Sequence, residues 1–485
     1  MSTSTPIRKN LATLSTKEKD DLVKAFKAIQ DLDPDDSDSY FTIAGYHEIL
    51  HCHHGDVLFP TWHRAYLCRL EKALQKKVPG VTLPYWDQFD RNQMPIPTIL
   101  TDGTYRFTDG TEIPNPLYSY SFQAAVEDDG TGDGGHEEGL HEKSQDYATV
   151  RYPFSGSVSD KYKEKTERNN EEYKDMGTNE TTTILNENVR NWLTQSSYIN
   201  NEGQKLPAGV LYKYQNCLDA PNYTIFSNTT SSEQWNHDNP GKVTYSLENP
   251  HNNIHLALGG FKVPGQGSRN TIDFANGDTR ENGTASFDPI FFFHLAWIDY
   301  LFWNWQERQS TNELTFLEHT YPGVDDYTPD SPLHPFKGPD GSPLTSNLVY
   351  NISDLGYAYD QKIPEAKFTL PVASPRLTIP KVSRRGISGS FVISVWVNTD
   401  NNKHDLIDAD GILSRWDLSK CDNCQQHLEF QHFVPLLGWD KEAAEKSYRD
   451  KKLWYKVHTR QSPKGIPWYD FGDNMPKLEL QTEGC

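Results

Sequence analysis

Hydrophobic positions recur at helical spacing in several segments of the first two thirds of the chain. Ser15 and Glu18 have the spacing of a capping box, and the apolar side chains of Leu22, Phe26 and Ile29 follow on one helical face. Further segments with helical spacing cover residues 63–75, 183–193, 249–258 and 291–306. The pattern predicts a mainly α-helical core.

The pattern changes in the last part of the chain. Residues 322–367 are rich in Pro and Gly, and the segments 391–397 and 453–457 then combine β-branched with aromatic side chains, which is typical of strands. We therefore predict two domains, a helical core over residues 1–370 and a smaller, sandwich-like β domain over residues 371–485.

Charge and hydropathy exclude several classes of function. The chain has 485 residues with 47 Lys and Arg against 67 Asp and Glu, and the net charge of −20 disfavours nucleic acid and anionic membrane surfaces as partners. Its mean hydropathy is −0.74, and no apolar run approaches the ~20 residues of a membrane helix. The start lacks the apolar core of a secretory signal, so we expect a cytoplasmic protein. The acidic, Gly-rich stretch 127–146 predicts a loop.

Histidines form two groups with the spacing of metal ligands. His251 and His255 lie four residues apart on a predicted helix, so both imidazoles face the same side. A hydrogen-bonded or solvated pair would have the same spacing. The other group places five histidines within residues 47–63, around an apolar run at 57–59. Because a solvated histidine patch does not need apolar neighbours, the two groups together favour a metal site.

Several motifs resemble those of the type 3 copper family, which contains the fungal tyrosinases and the hemocyanins. The resemblance covers nearly the whole chain. It implies a tyrosinase/hemocyanin-type four-helix bundle that holds metal, followed by a β-sandwich-like C-terminal domain. The motifs are CHHGDVLFPTWHR at 52–64, LPYWD at 83–87, ENPHNNIH at 248–255, the segment 288–299, and Tyr357 with Tyr359 as the Tyr-x-Tyr signature.

Carried over by position, the resemblance assigns ligands for two metals. The third histidine of the second metal is not fixed by the motif at 248–255. The ligands implied are His47, His54 and His63 for the first metal, and His251 and His255 for the second.

Two further residues resemble a catalytic pair of the family. Glu248, three positions before His251, resembles the acid that holds a water in tyrosinases, and Asn252 resembles its partner, so we assign both as catalytic. Burial among aromatic side chains would raise the pKa of Glu248 and suit it to move a proton at neutral pH, while Asn252 would orient the substrate or a water. A Glu at this place is equally consistent with a charge that faces the positive end of the helix dipole.

Six cysteines are too few for a disulfide framework in a chain of this length. In several fungal family members the Cys two places before the middle ligand of the first metal is cross-linked to that ligand, which implies a thioether between Cys52 and His54 here. The CxxC of Cys421 and Cys424 is consistent with copper delivery, with a redox pair or with two ordinary thiols.

One position departs from the family pattern. Counting forward from Asp288 or back from Asp299 places the third histidine of the second metal at position 295, where this chain has Leu295. His294 lies one place earlier, and one residue on a helix is a rotation of about 100°. We therefore expect Leu295 to face the second metal position, with His294 as an alternative ligand only after the helix is re-phased.

This departure leads to a hypothesis of non-redox chemistry. A second site with two imidazoles would bind metal weakly, whereas three imidazoles and an open position are the arrangement of a catalytic zinc. The pattern then resembles the cyclopenase type of fungal alkaloid pathways, a zinc-associated enzyme that rearranges a cyclopenin-like benzodiazepinedione to a viridicatin-type quinolone. We predict a zinc-dependent lyase for a small aromatic substrate, with Phe291, Phe292 and Trp297 as an apolar wall or as ordinary core.

Two other functions stay open at this point. A copper-dependent tyrosinase or catechol oxidase, which oxidises phenols to quinones, would use His294 as its sixth ligand. A hemocyanin-like protein would bind metal without turning over a substrate. Independently of which function holds, the resemblance implies that the β domain covers the pocket, as C-terminal domains do in latent fungal family members, with Phe433 as one candidate plug.

Overall fold

The structure of the protein is a computed structural model. It describes residues 5–48, 53–90, 96–126, 143–156, 162–198, 205–266, 277–310, 312–363, 374–387, 389–399, 403–414, 425, 427–460, 462–470 and 476–482. Cys52, Cys421 and Cys424 lie outside the described residues, as do most of the acidic stretch 127–146 and the expected domain boundary at 370/371.

Among the described residues, helices dominate up to about residue 350, and a further helix lies near the end of the chain. The helices are α1 (Thr16–Gln30), α2 (Tyr40–Gly45), α3 (Phe59–Lys77), α4 (Thr98–Thr101), α5 (Lys163–Met176), α6 (Thr178–Thr194), α7 (Val210–Cys217), α8 (Tyr223–Ser227), α9 (Thr229–Asp238), α10 (Glu248–Gly259), α11 (Ile290–Gln306), α12 (Ser346–Val349) and α13 (Lys441–Arg449).

Strands are short in the first part of the chain and longer in the last part. The strands are β1 (Ile7–Arg8), β2 (Thr104–Arg106), β3 (Glu112–Pro114), β4 (Ser196–Tyr198), β5 (Lys205–Pro207), β6 (Pro332–Lys337), β7 (Pro343–Thr345), β8 (Ala358–Tyr359), β9 (Arg376–Ser383), β10 (Phe391–Thr399), β11 (Lys403–Ile412), β12 (Glu429–Pro435), β13 (Leu453–His458), β14 (Ile466–Pro467) and β15 (Glu479–Gln481).

Helical spacing in the sequence predicts α1, α3, α6, α10 and α11, and all five are confirmed. The capping box is present, since the Ser15 side chain accepts from the Glu18 backbone N–H and the Glu18 carboxylate accepts from the Ser15 N–H at 2.8 Å. Helix α5 was not predicted, because it is polar almost throughout, with Tyr173 as its one deeply buried apolar side chain. A helix without an apolar stripe leaves no periodic signal in the sequence.

The last part of the chain forms two antiparallel sheets, with strand orders β11-β10-β13-β14 and β12-β9-β15. Side chains from both sheets share one apolar core, in which Leu377 and Val434 of one sheet meet Val395 and Tyr455 of the other. Two sheets that bury a common core form a sandwich, so the expected fold class, a mainly α-helical core followed by a sandwich-like β region, is confirmed.

Helix α11 is the centre of the helical core. Nearly every residue from Ile290 to Phe302 is buried, and the helix packs directly against α3. A helix that is apolar on every face has no sequence signal for its rotation about its own axis, so contacts elsewhere must set that rotation. Within the described ranges, no helix has both the length and the apolar character that a membrane span requires.

A buried cluster of charges sets the position of α11. Asp299 accepts from the Arg64 Nε of α3 at 2.5 Å, from the Arg8 guanidinium at 3.1 Å, and from the hydroxyls of Tyr357 and Tyr359. Burial alone would raise the pKa of Asp299, but the two guanidinium groups and the two hydroxyls outweigh it and hold the pKa below its ordinary value. The two hydroxyls of the Tyr-x-Tyr motif therefore help to hold the Asp299 carboxylate, and with it α11, in place.

We predict that Asp299→Asn lowers the free energy of unfolding by about 3–5 kcal/mol, because it leaves the buried guanidinium of Arg64 without a counter-charge and that of Arg8 with Glu71 alone. Denaturant unfolding at pH 7 measures the loss, and Asp354→Asn at an exposed position is the control. Because the folded pKa is depressed, the carboxylate stabilises the protein above its unfolded pKa of about 3.9, and this contribution is lost as the pH falls through the folded value. Equal stability of the two variants at pH 7 would contradict this account.

Candidate metal centre

The first group of histidines converges in three dimensions. His47 follows α2, His54 lies in the loop before α3, and His63 lies on α3. Their ring nitrogens all lie within 4.8 Å of one another. The ring centroids are 5.4 Å apart for His47 and His54, 5.3 Å for His54 and His63, and 5.6 Å for His47 and His63.

The second group also contains three histidines. His251 and His255 project from α10, His294 projects from α11, and their ring nitrogens lie within 4.8 Å of one another. The ring of His294 is stacked on that of His251, with centroids 5.3 Å apart and an interplanar angle of 13°. Its centroid lies 5.4 Å from that of His255.

The expectation that Leu295 faces the second metal position and that His294 points away is therefore wrong. Leu295 is buried in the hydrophobic core instead. The expectation assumed that α11 has the rotation that the motif implies. That rotation is set by tertiary contacts: the Asp299 ion pairs, and a long hydrogen bond of 3.4 Å from the Trp86 N–H to the Phe293 carbonyl beside His294.

A proline lies in the first turn of α3, which carries His63, and another in the first turn of α10, which carries His251 and His255. Pro60 lies in the first turn of α3 and Pro250 in the first turn of α10, where the missing N–H leaves no bond unmade. Helix α10 ends at Gly259 and is capped by Gly260, whose φ of 109° is in the left-handed region that favours glycine. These signals fix where His63, His251 and His255 lie along their helices.

Backbone carbonyls orient three of the six rings. A ring that donates its Nδ1–H to a carbonyl keeps the lone pair of Nε2 for a metal. The Nδ1 contacts are His47 to Asn282 O at 3.0 Å, His63 to Phe59 O at 2.8 Å and His255 to Thr279 O at 3.1 Å. Main-chain acceptors of this kind have no signature in the sequence, which is why the sequence analysis missed them.

Burial keeps four of the six imidazoles, those of His63, His251, His255 and His294, in their neutral form. It lowers the pKa of His63 to about 3 and that of His255 to about 4. Burial, reinforced by the neighbouring histidines, also holds the pKa values of His251 and His294 well below the ordinary value. Neutral imidazole is the form that binds metal, so the histidines are ready to act as ligands at neutral pH.

The residues present fit metal ions. The Nε2 of His63 is buried and has no hydrogen-bond partner, and the Nε2 atoms of His251 and His255 approach each other to 2.9 Å. Converging neutral nitrogens of this kind suit a cation that takes imidazole ligands, such as copper or zinc, and do not suit calcium or magnesium, which prefer oxygen.

The two triads face each other and form one site. The ring centroids of His54 and His251 are 5.7 Å apart, and those of His63 and His251 are 6.0 Å apart, nearly as close as within a triad. Phe59 contacts rings of both triads, and Phe291 packs against His47 at 4.8 Å and His255 at 5.5 Å. Two ions bound by these ligands would therefore be neighbours.

Of the three aromatic residues considered as a pocket wall, only Phe291 contacts the histidines in the described structure. Phe292 packs against Tyr40 and Tyr66 in the core, and Trp297 packs against Tyr85, Phe89 and Tyr214. Phe292 and Trp297 are ordinary core residues.

Glu248 connects three segments around the site. Its Oε1 accepts from the Gly55 N–H, next to His54, at 2.9 Å, and its Oε2 accepts from the Thr229 N–H at 2.9 Å and from the Thr229 hydroxyl at 3.2 Å. Burial raises the pKa of Glu248 to about 7, although these donors oppose the shift. The side chain of Asn252 lies against His251, with 3.0 Å between Asn252 Oδ1 and His251 Nδ1.

Gln88, which was not predicted as a site residue, places its amide 2.9 Å from Nδ1 of His294. Its position directly after the motif at 83–87, which itself resembles a family motif, was the one feature of the sequence that could have indicated a role for Gln88.

The β region covers α10. Asn249 Nδ2 donates to Asp410 Oδ2 of β11 at 2.9 Å, and the Gly411 N–H donates to Asn253 Oδ1. Phe433, which was expected as a plug, packs instead in a separate apolar cluster with Tyr212 and Tyr245.

Comparisons with known proteins agree with this geometry. The family model described as the common central domain of tyrosinase matches residues 37–308. A tyrosinase of Aspergillus oryzae is 36% identical over 517 residues, covering 94% of this chain and 94% of that protein. The tyrosinase HcTyr2 of a Hahella species is 37% identical over 500 residues, covering 92% of this chain and 90% of that protein.

Solved structures give the same result for the fold. A tyrosinase from Burkholderia thailandensis superimposes with a TM-score of 0.81 at 35% identity, covering 99% of this chain and 100% of that chain. A recombinant mushroom tyrosinase has a TM-score of 0.64 at 20% identity, covering 94% of this chain and 90% of that chain, and supports the fold alone.

The assignment of the sixth ligand can be tested with two neighbouring substitutions. We predict that His294→Ala lowers the bound copper from two ions per chain to one, because the second triad loses a ligand. Leu295→Met should keep two ions, since a volume-conserving change in the core costs less than about 1.5 kcal/mol. Elemental analysis after dialysis measures both, and loss of an ion in Leu295→Met with retention in His294→Ala would show that position 295, and not position 294, faces the second metal position.

Proposed function

The chain belongs to the tyrosinase family, and on that premise we propose that it is a copper-dependent oxidase that converts small phenols to quinones with dioxygen. The observation that carries the proposal is the pair of complete histidine triads that face each other across Phe59 and Phe291. A pair of copper ions bound there would supply the redox chemistry with dioxygen. The protein's contribution is to bring the six imidazoles together and to keep those of His63, His251, His255 and His294 buried and neutral.

The proposal replaces the zinc-dependent lyase of the cyclopenase type. That hypothesis depended on Leu295 as a missing ligand, and the structure brings His294 to this position instead. With both triads complete, nothing in the site favours a single zinc over two coppers, and the relatives named above are tyrosinases.

We propose that Glu248 moves a proton during the reaction. A carboxyl group with a pKa near 7 can accept the proton of a phenol or of an intervening water and return it at neutral pH. The two N–H donors of Gly55 and Thr229 stabilise the carboxylate form, while burial stabilises the protonated form. Asn252 would hold His251, and through it the α10 side of the site, in place.

We predict that the copper-loaded protein oxidises catechol to its quinone with uptake of dioxygen, and that the zinc-loaded protein does not. An oxygen electrode and quinone absorbance measure the turnover, with His63→Ala as a ligand-deficient control. If the copper-loaded chain takes up dioxygen reversibly without turnover of any phenol, the proposed oxidase is wrong and the hemocyanin-like alternative is favoured.

The role of Glu248 predicts a pH dependence. A base must be deprotonated to act, so kcat/KM of the wild type should rise with pH and level off above about 7. Glu248→Gln should lower kcat by about 10²–10⁴-fold and lose this inflection while it keeps two coppers.

Glu313→Gln at an exposed position serves as the matched control for this pH series. If Glu248→Gln keeps the wild-type rate and the same inflection, Glu248 only connects the segments of Gly55 and Thr229 through hydrogen bonds and does not transfer protons.

A further inference from the structure

A chain of buried side chains reaches His294 from α7. The Tyr214 hydroxyl donates to Gln88 Oε1 at 2.9 Å, and Gln88 Nε2 lies 2.9 Å from His294 Nδ1. All three side chains are fully buried, so water does not compete for these contacts. The Trp86 N–H donates to the Phe293 carbonyl, which fixes the loop that carries Gln88 against α11.

This support differs from that of the rings held by the main chain. His47, His63 and His255 meet backbone carbonyls, which can only accept a hydrogen bond, so their Nδ1 must carry the proton. A carboxamide presents an acceptor on one side and a donor on the other, and half a turn about its last bond exchanges them. His294 is therefore a ring whose tautomer depends on the orientation of a side chain.

The contacts in the structure correspond to one of two states. With the amide N–H of Gln88 directed at Nδ1, the ring proton of His294 lies on Nε2, which is 3.3 Å from the carbonyl oxygen of His251. A proton at Nε2 blocks that nitrogen as a metal ligand. When the carboxamide is reversed, Gln88 Oε1 accepts from Nδ1–H, Nε2 becomes free, and the Tyr214 hydroxyl accepts from the amide.

We propose that Gln88 is the positioning residue that selects the tautomer of His294 and so sets the affinity of the second metal position without changing that of the first. The inference rests on the proposed two-copper function. Gln88 would not contact the substrate. Its buried amide, which lies outside both triads, would control how tightly the second metal is held.

Two substitutions at this position should act in opposite directions. Gln88→Met keeps the size of the side chain but offers Nδ1–H only a weakly accepting thioether, and the loss of a strong partner typically lowers metal affinity by about 10–100-fold. Gln88→Glu offers only acceptors to His294 and Tyr214, so it favours the metal-binding tautomer and should strengthen retention of the second ion by a similar factor.

The experiment titrates the copper-loaded full chain with a graded chelator and measures copper per chain and the Cu²⁺ signal by electron paramagnetic resonance. Gln88→Met should release its second ion at about 10–100-fold lower chelator concentration than the wild type, leaving one isolated Cu²⁺ with its own signal. Gln88→Glu should require a higher concentration, and the first ion should leave at the wild-type concentration in both. Gln309→Met, at a half-buried position three residues after the end of α11, is the matched control.

The outcomes separate this inference from the proposed function. A wild type that binds no copper pair overturns both. If the wild type binds two coppers and both Gln88 variants release them as the wild type does, or lose both ions together, Gln88 has no selective role and the inference fails. Because the two variants are expected to change retention in opposite directions, a general loss of folding in one cannot reproduce the predicted result.

Discussion

The buried ion pair between Arg64 and Asp299 is the constraint on which the site depends. Arg64 directly follows His63 on α3, and Asp299 lies on α11 five residues after His294, so the pair joins the two helices that complete the two triads. Its nitrogen and oxygen are 2.5 Å apart, and Arg8, Tyr357 and Tyr359 complete the environment of the carboxylate. Such a pair is costly to desolvate, and in this protein it specifies one rotation of a helix that has no polar face of its own.

Much of the fold and most of the site could be predicted from local patterns. The i, i+4 spacing of His251 and His255, the capping box at Ser15, and the strands after residue 390 all depend on neighbours in sequence. His294 could not be assigned as a ligand, because the rotation of α11 depends on the contact of Asp299 with Arg64, which lies 235 positions before it in the chain. Counting residues within a motif assumes a rotation that only tertiary contacts determine. The carbonyl partners of the rings cannot be predicted from the sequence either, because every residue has a backbone carbonyl and only the fold decides which one meets a ring.

The two triads are built from the same ligands but are supported differently. Backbone carbonyls orient two rings of the first triad and one of the second, whereas the side chains of Asn252 and Gln88 contact the other two rings of the second triad. Side chains can reorient more freely than main-chain carbonyls, so the rings of His251 and His294 depend on side-chain orientation, whereas those of His47, His63 and His255 depend on the backbone. Burial also contributes, because it lowers the pKa values of His63 and His255, so that protons do not compete with metal there, and raises the pKa of Glu248 toward neutrality.

The central claim is that six histidines, with His294 among them, hold two copper ions side by side. The most direct test is anomalous diffraction at the copper edge from crystals of the copper-loaded chain. We expect two copper peaks, one bonded to His47, His54 and His63 and the other to His251, His255 and His294. A single peak at the first triad, with the ring of His294 turned away from α10, would contradict the account.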